Sequence, residues 1–595
     1  MKKTTLGLAF LLSVMPALAA APAFHQWAPR PPMGWNSWDN FATTITEAQT
    51  KAQADYLAEK LKAFGWEYIV VDIQWYEPGA KNHDYRQDAV LVMDGFGRLQ
   101  PAPNRFPSSA DGSGFKALAD YVHGKGLKFG IHLMRGIPRQ AVEKNLPVKG
   151  TSVHAQDIAD KTSLCPWNPD MYGVDLAKPG AQEYYNSVFE LIAAWGVDFV
   201  KVDDIARPYH EHAREIEAIR QAIDRTGRPI VLSLSPGETV LDAAAHVTQH
   251  ANMWRISDDF WDRWLALHEQ FARLAKWNPH RQPGAWPDAD MLPFGVIDLN
   301  RRSSRFTPDE QRTLMTLWSI ARSPLMHGGD LTKTDDFTLS LLTNAEVLAV
   351  NQNSENNRPL FNRDDLIAWT ADVPGSSDHY LAVFNARDRV RLDATHARYV
   401  SPLVTRAAGS VAAIDVDVSD AARLFLVLDP TDDGNLWDHG VWREPRLVFA
   451  DGTERPLTEF KWTRTDSLWD SAAVKKDGAG QVISLGAQAT AVIEYAVPAG
   501  AVRFKATGEL DESVRGKTEG GTVRFLVAVA TSQTESTAPT LPVAVRLAEL
   551  GLPGTVRIQD LWSHQDLGEF KGEFAPEIPW HGSGLYRLSP LPAAK

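Results

Sequence analysis

The chain has 595 residues, and its 61 Lys and Arg against 74 Asp and Glu leave a formal net charge of −13. With 44% apolar and 23% charged residues, the composition is that of a globular protein and excludes a disordered chain. The negative charge without basic clusters argues against a nucleic-acid partner, and the single cysteine, Cys165, excludes a disulfide framework or a cysteine-based zinc cluster. The 20 tryptophans are more than a buried core needs, and flat aromatic faces suit sugar rings.

The N-terminal segment has the features of a secretory signal peptide. Lys2 and Lys3 precede an apolar run that begins at Leu6, and residues 17–19 form an A-x-A pattern. That run is too short to cross about 30 Å of hydrocarbon as an anchor. No later stretch is apolar for 18 residues. We therefore expect residues 1–19 to be removed and the mature protein to be secreted or periplasmic, with no membrane partner.

Strands and helices alternate along the first half of the chain, from about Pro32 to Arg322. Apolar runs predict strands at Met33–Trp35, Tyr68–Asp72, Lys128–Leu133, Phe199–Asp203, Ile230–Ser235, Met253–Asp259, near Asp288–Leu292 and near Ser323–Met326. Amphipathic segments predict helices that include Glu47–Phe64, Gly114–Lys125, Gln182–Trp195, His212–Arg225 and Pro308–Ile320. Thr46 with Gln49 is a capping box, and Pro308 follows Thr307 in a first turn. About eight repeats of this alternation predict an α/β fold, a closed (β/α)8 TIM barrel over residues 28–352.

After about Asn351 the helical periodicity nearly stops, and short alternating strands take over. Turn signals such as Asp451-Gly452 and Asp477-Gly478 separate these strands. We expect a discontinuous C-terminal β domain at residues 353–386 plus 536–595. A separate β segment at residues 387–535 would be inserted into it.

Polar residues lie at the predicted carboxyl ends of the barrel strands, where barrel enzymes carry their catalytic groups. The set comprises Asn36, Trp38, Asp72, His132, Asp203, Ser235, Asp259, Asp290 and the turn His327–Asp330. Any single Asp or Asn among them could equally cap a helix or start a turn. Taken together, a ring of polar groups around one mouth suits a polyhydroxylated ligand.

Two segments together supply a pair of carboxylates suited to glycoside hydrolysis, one from each segment. In Phe199–Asp204, Lys201 and Asp203 share one strand face, and the lysine favours the ionised carboxylate that a nucleophile needs. In the second segment, Arg255 and Asp259 share a face if the strand continues that far, and Asp258 would instead cap the following helix. One ionised carboxylate and one free to be protonated are what a glycosidase requires.

At these residues the chain resembles family 27 of the glycoside hydrolases, the α-galactosidase family. The resemblance runs through PMGWNSWDNF (32–41), YIVVDIQW (68–75), GRLQPAPNRFP (97–107), ALADYVHGKGLKFGIH (117–132), WGVDFVKVDD (195–204), WRISDDFWDRW (254–264), WPDADML (286–292) and SPLMHGGDL (323–331). So many motifs in one order make chance similarity untenable. They imply an exo-acting enzyme that removes terminal α-linked galactose from oligo- or polysaccharides with retention, by double displacement. The sequence contains neither a G-x-x-x-x-G-K-[ST] nor an H-E-x-x-H motif, so we expect no metal or other cofactor.

The resemblance also implies roles for individual residues. Asp203 matches the nucleophile and Asp259 the acid/base, with a carboxyl separation of about 5 to 5.5 Å expected for retention. Trp38 matches the aromatic residue that lines the sugar site, and Asp72 an acid that binds the 4- and 6-hydroxyls. The remaining substrate-binding positions are Lys201 and Arg255, which match residues contacting sugar hydroxyls, His132, on a site that is usually aromatic, and Ser235.

Two departures leave the terminal sugar open. Family members often carry two adjacent acids where this chain has Asp72-Ile73, which changes recognition around C4 and C6. Where many α-galactosidases have Cys-Glu-Trp, this chain has Ser235-Pro236-Gly237 after Leu234, which leaves room at C2. The alternatives are therefore an α-N-acetylgalactosaminidase and a β-L-arabinopyranosidase. A sugar-binding protein without catalysis is an alternative of another class, disfavoured because both Asp203 and Asp259 are present.

The inserted segment has a resemblance of its own. DDGNLWDHGVWREPRL (432–447) and IEYAVPAGAVRFKATGELD (493–511) resemble the carbohydrate-binding module called NPCBM, a jelly-roll, galactose-binding-like fold. The tail at 556–568 resembles the last strands of the family's C-terminal β-sandwich domain. Trp437, Trp442, Trp462 and Trp469 would either stack on sugars or pack in the core of the module.

Overall fold

The computed structural model describes residues 21–388, 390–431, 437–467, 472–476, 482–517, 520–531 and 540–592. The predicted signal peptide, Trp469, the Asp477-Gly478 turn and the boundary at 535/536 lie outside these residues. Within the described part of the chain, no helix is both long and apolar enough to pass through a bilayer.

The first half of the chain forms one sheet of eight parallel strands. They are β1 (Met33–Asn36), β2 (Tyr68–Val71), β3 (Lys128–Met134), β4 (Phe199–Asp203), β5 (Val231–Leu234), β6 (Met253–Arg255), β7 (Trp286–Asp288) and β8 (Leu325–His327). Each strand pairs with the next in order, and β1 also pairs with β8. A parallel bridge from Leu292, just after β7, to His327 completes the ring. The predicted barrel is confirmed.

The helices outside the barrel follow the predicted amphipathic segments. The principal ones are α1 (Glu47–Tyr56), α2 (Lys116–Gly124), α3 (Ala181–Ala194), α4 (Tyr209–Thr226), α5 (Ala244–His250), α6 (Trp264–Trp277) and α7 (Pro308–Ala321). The predicted capping box at Thr46 forms for α1, and Pro308 lies in the first turn of α7 as predicted, where Thr307 forms a second capping box with Glu310. The predicted helix Glu47–Phe64 is not uniform, because its second half widens to a π-turn at Leu57–Leu61 and tightens to a 3-10 turn at Lys62–Phe64.

A six-stranded antiparallel sheet follows the barrel and is built from two distant parts of the chain. After the helices Asp336–Leu342 and Ala345–Asn353, it contains Glu355–Arg363, Leu366–Asp372, His379–Asn385, Ser583–Pro590, Thr555–Asp560 and Asp566–Lys571. Its inner face packs on the barrel in one continuous core, where Phe384 contacts Phe271 of α6 with ring centroids 5.0 Å apart. The β sheet is therefore fixed against the helix that follows β6.

Two further antiparallel sheets lie between these two parts. One contains Tyr399–Val400, Thr522–Ala530, Arg423–Asp429, Ala491–Ala496 and Arg464–Ser467, and the other Ala412–Asp417, Ala501–Leu510, His439–Phe449, Val482–Gln488 and Ala473–Lys476. Their facing sides share one core around Trp442 and Phe525. The outer face of the first sheet packs against Leu265 of α6, so the inserted segment also touches the barrel.

The tryptophan excess has a simpler explanation than the sequence suggested. Nine indole side chains are less than 2% exposed and form part of the core, namely Trp35, Trp66, Trp75, Trp254, Trp277, Trp286, Trp318, Trp369 and Trp442. Nine of the 20 tryptophans therefore belong to the core, and their presence needs no sugar-binding role. A barrel with three further sheets has enough interior to bury them.

Candidate active site

The carboxyl ends of the barrel strands surround a cavity of 280 Å³, called the strand-end cavity below. It is lined by Trp38, Asp72, Tyr85, His132, Trp167, Lys201, Asp203, Arg207, Ser235, Pro236, Asp258 and Asp259. Seven of the eight predicted site residues line it, and the eighth, Arg255, lies behind the wall. The strand-end rule thus brought together residues that are up to 221 positions apart in the chain.

Asp203 ends β4 and is held in place by short contacts. Its Oδ1 accepts a hydrogen bond from the backbone N–H of Asp204 at 2.8 Å, and its Oδ2 lies 3.4 Å from Nε2 of His132. Burial alone would raise the pKa of Asp203, but first His132 and then the Lys201 charge outweigh it and lower that pKa. The predicted ionised state is supported, although Lys201 is not its main cause.

Lys201 and His132 both pair with Asp72, which is completely buried at the end of β2. Lys201 Nζ lies 3.4 Å from Oδ2 of Asp72, and His132 Nδ1 lies 2.5 Å from Oδ1. Asn36 donates a further hydrogen bond to Oδ2 at 2.9 Å. These contacts exist because the β3–β4 register places His132 directly beside Lys201.

The charges in this cluster stabilise one another. Burial opposes ionisation of Asp72, yet the charges of His132 and Lys201 hold the pKa of that carboxyl well below its usual range. Burial would lower the pKa of His132 as well, but the Asp72 carboxylate raises it. The raised pKa favours the imidazolium form of His132, whose two ring nitrogens face the carboxylates of Asp72 and Asp203.

Asp259 reaches the cavity from a loop, which corrects the predicted strand Met253–Asp259. β6 ends at Arg255, because the following residues bond to the loop after β5: Thr239 N–H donates to Arg255 O, and Gly237 N–H to Ser257 O. The Asp259 side chain is 47% exposed, against 12% for Asp203, so it can exchange protons with water.

Arg255 is 1% exposed and holds Asp259 from behind. Its Nη2 lies 3.3 Å from Oδ1 of Asp259, and its Nη1 lies 3.0 Å from Oδ1 of Asp290. Because Arg255 is not among the described residues that line the cavity, the geometry favours a positioning role over the implied contact with sugar hydroxyls. Asp290 extends the same cluster, and burial raises its pKa.

Asp258 does not cap the following helix, so that prediction was wrong. α6 begins at Trp264 with Arg263 as its N-cap. Asp258 instead lines the cavity and pairs with Arg207, whose Nη1 lies 2.7 Å from Oδ2. Burial raises the pKa of Asp258 in spite of this partner.

Trp38 and Ser235 lie where the sequence predicted. The backbone N–H of Trp38 donates to Oδ1 of Asn36 at 2.8 Å, which fixes the start of a short helix, Trp38–Phe41. Its ring lies nearly parallel to that of Tyr85, with centroids 6.2 Å apart. Ser235 is 2% exposed and borders the cavity beside Pro236.

Besides Asp258, four lining residues were missed by the sequence reasoning, namely Tyr85, Trp167, Arg207 and Pro236. All four lie on βα-loops, where no strand periodicity marks which side chains point inward. For two of them the sequence did contain a signal, namely an aromatic residue in each of the long loops after β2 (Tyr85) and β3 (Trp167). Outside the cavity, Glu217, His246 and His250 on the outer helices hold possible metal-ligand atoms within 4.8 Å of one another.

Comparisons with known proteins agree with this geometry. The family model described as alpha galactosidase A matches residues 30–176 and 170–353, and the alpha galactosidase C-terminal beta sandwich model matches residues 514–588. An alpha-galactosidase from Cyamopsis tetragonoloba is 30% identical over 356 residues, 59% of this chain and 71% of that protein. An alpha-N-acetylgalactosaminidase from Gallus gallus is 30% identical over 342 residues, 54% of this chain and 70% of that protein.

Solved structures resemble nearly the whole chain. The crystal structure of a GH27 β-L-arabinopyranosidase from Geobacillus stearothermophilus matches with a TM-score of 0.69 and 40% sequence identity. The match covers 97% of this chain and 100% of that one. It therefore extends beyond the barrel into the β sheets.

Proposed function

The chain belongs to the alpha galactosidase A family and is a glycoside hydrolase, and we propose that it releases a terminal sugar of galacto configuration, as in α-galactosides, with net retention. One observation carries the proposal. An ionised, nearly buried carboxylate, Asp203, and a solvent-accessible one, Asp259, line the same cavity at the strand ends. This is the pair that double displacement needs.

In the first step, a carboxylate oxygen of Asp203 forms a bond to the anomeric carbon while the bond from that carbon to the leaving oxygen breaks. Asp259, in its protonated form, gives its proton to the leaving oxygen. In the second step, Asp259 takes a proton from water, the water oxygen bonds to the anomeric carbon, and the ester bond to Asp203 breaks. Two inversions give retention, for which the two carboxyls should lie about 5 to 5.5 Å apart.

The other residues of the cavity bind and orient the sugar. Asp72, kept ionised by His132 and Lys201, accepts hydrogen bonds from sugar hydroxyls, and Lys201 donates one. Trp38 offers an aromatic face to the C–H face of the ring. His132 also keeps Asp203 ionised for attack.

Among galacto-configured sugars, the absence of a second acid beside Asp72 favours one without a 6-hydroxyl. Many family members carry that acid where this chain has Ile73, which is fully buried and is not among the described residues that line the strand-end cavity. A 6-hydroxyl therefore finds no partner from this position, and leaving a buried polar group unpaired costs about 1 to 3 kcal/mol. β-L-arabinopyranose is galactose-like but lacks the hydroxymethyl group. The β-L-arabinopyranosidase that is 40% identical to this chain supports the same preference.

A panel of p-nitrophenyl glycosides tests both the proposed reaction and the proposed preference for a sugar without a 6-hydroxyl. We expect hydrolysis of the α-galactoside and the β-L-arabinopyranoside, with the higher kcat/KM for the latter. The α-N-acetylgalactosaminide is included because Ser235 leaves room at C2. An Asp203→Asn variant should bind but not turn over these substrates, and turnover by that variant would refute the nucleophile assignment. A first-released product of inverted configuration would refute retention.

Two further features belong to the same proposal. The lysine-flanked apolar run and A-x-A pattern of residues 1–19 support export, which N-terminal sequencing of the mature protein would test. The resemblance of residues 387–535 to a carbohydrate-binding module supports sugar binding there. Trp462 is the better stacking candidate in that segment, because Trp442 is fully buried and Lys517 Nζ lies 3.6 Å from the ring centroid of Trp437.

A further inference from the structure

Two neighbouring helices on the outside of the barrel bring two imidazoles and a carboxylate together. His246 and His250 lie one turn apart on α5, and Glu217 belongs to α4. Their ligand atoms all lie within 4.8 Å of one another. His246 Nε2 lies 3.1 Å from Oε1 of Glu217, and two ligands of a tetrahedral zinc ion lie about 3.3 Å apart. Small rotations of these partly exposed side chains therefore bring all three to one ion.

The ring of His246 is oriented by a hydrogen bond on its other nitrogen. Its Nδ1 lies 2.7 Å from the hydroxyl of Tyr209, which is 2% exposed at the start of α4. A tyrosine hydroxyl can donate to Nδ1 or accept from it. When it accepts, the lone pair of His246 is on Nε2, the atom beside Glu217. A ligating histidine is usually held in this way by a second partner.

His250 is held in the tautomer that presents the same nitrogen. Its Nδ1 lies 2.7 Å from the backbone carbonyl oxygen of His246. Because a carbonyl oxygen only accepts, Nδ1 carries the proton, and the lone pair of the neutral ring is on Nε2. The two rings stack with centroids 4.1 Å apart, which disfavours a positive charge on both. Both histidines therefore have Nε2 available for a cation other than a proton.

This set of donors selects a class of ion. Imidazole nitrogens with a carboxylate suit Zn²⁺ and similar first-row transition metals, whereas Ca²⁺ and Mg²⁺ take oxygen ligands. The spacing of His246 and His250 places both rings on one face of α5. The expectation of no metal rested in part on the lack of H-E-x-x-H, a motif that keeps its acid on the same helix. A site whose acid, Glu217, lies on another helix does not need that motif.

We propose that Glu217, His246 and His250 bind one Zn²⁺ ion or a similar divalent transition-metal ion, with water as a fourth ligand. The ion links α5 to α4 and so fixes the helix that leads into β6. None of the three side chains is among the described residues that line the strand-end cavity. The ion therefore has a structural role, and the inference does not depend on the proposed function.

Titration calorimetry tests the site directly. The mature chain is used without a polyhistidine tag and after a chelator has removed bound metal. ZnCl₂ should bind at one equivalent per chain with a Kd of about 10 μM or tighter, and MgCl₂ or CaCl₂ in excess should not compete. Weaker binding of Zn²⁺, or none, would overturn the proposal.

Variants locate the ion. Glu217→Gln and His250→Gln keep the size of each side chain and should each weaken Zn²⁺ binding at least about tenfold. Tyr209→Phe removes only the hydroxyl beside His246, and loss of such an outer partner typically costs about 10- to 100-fold in affinity. An unchanged affinity in either Glu217→Gln or His250→Gln would refute the three-ligand site. The Glu217 side chain is 53% exposed, so its replacement does not disturb the core.

His210→Gln is the matched control. His210 is an exposed residue of the same helix, α4, and it also pairs with an acid, Asp242, at 3.0 Å. Its replacement should leave the affinity for Zn²⁺ unchanged. Thermal melting gives a second readout, because an ion that binds only the folded chain stabilises it. Zn²⁺ should raise the melting temperature of the wild type and of His210→Gln, and an equal rise in Glu217→Gln would contradict the proposal.

Discussion

Replacing His132 with glutamine tests the charge cluster that prepares Asp203 for attack. In the wild type, the imidazolium lies 2.5 Å from Asp72 and 3.4 Å from Asp203, and it is 2% exposed. Glutamine keeps a hydrogen-bond donor of similar length but removes the charge. Both carboxylates then lose their main stabilising partner, while Lys201 still neutralises part of the charge on Asp72.

The direction of the effect follows from the ion pair that the substitution removes. His132 Nε2 lies 3.4 Å from Oδ2 of Asp203, and His132 is the largest influence that opposes burial and lowers the pKa of that carboxyl. Without this charge the pKa of Asp203 should rise, and a loss of about 1.4 kcal/mol lowers the ionised fraction on the acid side about tenfold. Since attack needs the ionised form, the acid limb of the kcat/KM profile should move to higher pH.

The assay is the pH dependence of kcat/KM on the best aryl glycoside, from pH 3 upward. His123→Gln is the matched control. His123 also pairs with a partly buried acid, Asp198, at 2.7 Å, but this pair lies outside the cavity. The control should leave the acid limb in place. An unmoved acid limb in a folded His132→Gln enzyme would refute the argument that His132 keeps Asp203 ionised.

The same substitution has a stability consequence with a defined sign. Because His132 has a raised pKa, its contribution to folding is fully present below its unfolded pKa and is lost as pH rises through the folded value. Breaking a buried ion pair typically costs about 3 to 5 kcal/mol, and the remaining Lys201 contact places this variant at the lower end. Thermal melting of wild type and variant at pH 5 measures the loss.

Three further predictions concern other parts of the molecule. Ile73→Asp should raise kcat/KM for the α-galactoside relative to the β-L-arabinopyranoside about tenfold, because it gives the 6-hydroxyl a partner worth about 1 to 3 kcal/mol; an unchanged ratio would contradict the role of Ile73. Arg255→Met should lower kcat at least about tenfold with little change in KM, since it releases Asp259 rather than the sugar; a change in KM alone would restore the sugar-contact role. His581 lies 2.8 Å from Glu310 and, against the effect of burial, lowers the pKa of that acid, so His581→Gln should lower the melting temperature at pH 6 and have less effect as the pH falls through the lowered pKa of Glu310. An equal loss at both pH values would contradict the ionic explanation.

The strand and helix pattern was readable because each repeat carries its own local signals. Thr46 caps its helix and Pro308 lies in a first turn as predicted. The principal predicted helices match the observed bounds to within about three residues at each end, except where the helix that begins at Glu47 widens to a π-turn. The strand after Met253 was overextended, since its alternation continues to Asp259 while the backbone turns to bond with Thr239. The alternation of apolar and polar residues shows which way side chains point. The length of a strand depends instead on which neighbouring segment accepts and donates its backbone hydrogen bonds.

The sequence by itself determined the barrel and its order, because buried parallel strands need apolar runs and their carboxyl ends expose the next polar residue. Its motifs also indicated the family and, through that resemblance, Asp203 and Asp259 as the proposed catalytic pair. Which charges pair was decided only by the tertiary structure, since β3–β4 register, not sequence spacing, sets His132 between Asp72 and Asp203. The same holds for the loops that bring Tyr85 and Trp167 to the cavity. The contacts of α6 with the six-stranded sheet and with the inserted segment likewise form only in the folded chain, because no local pattern encodes contacts between residues hundreds of positions apart.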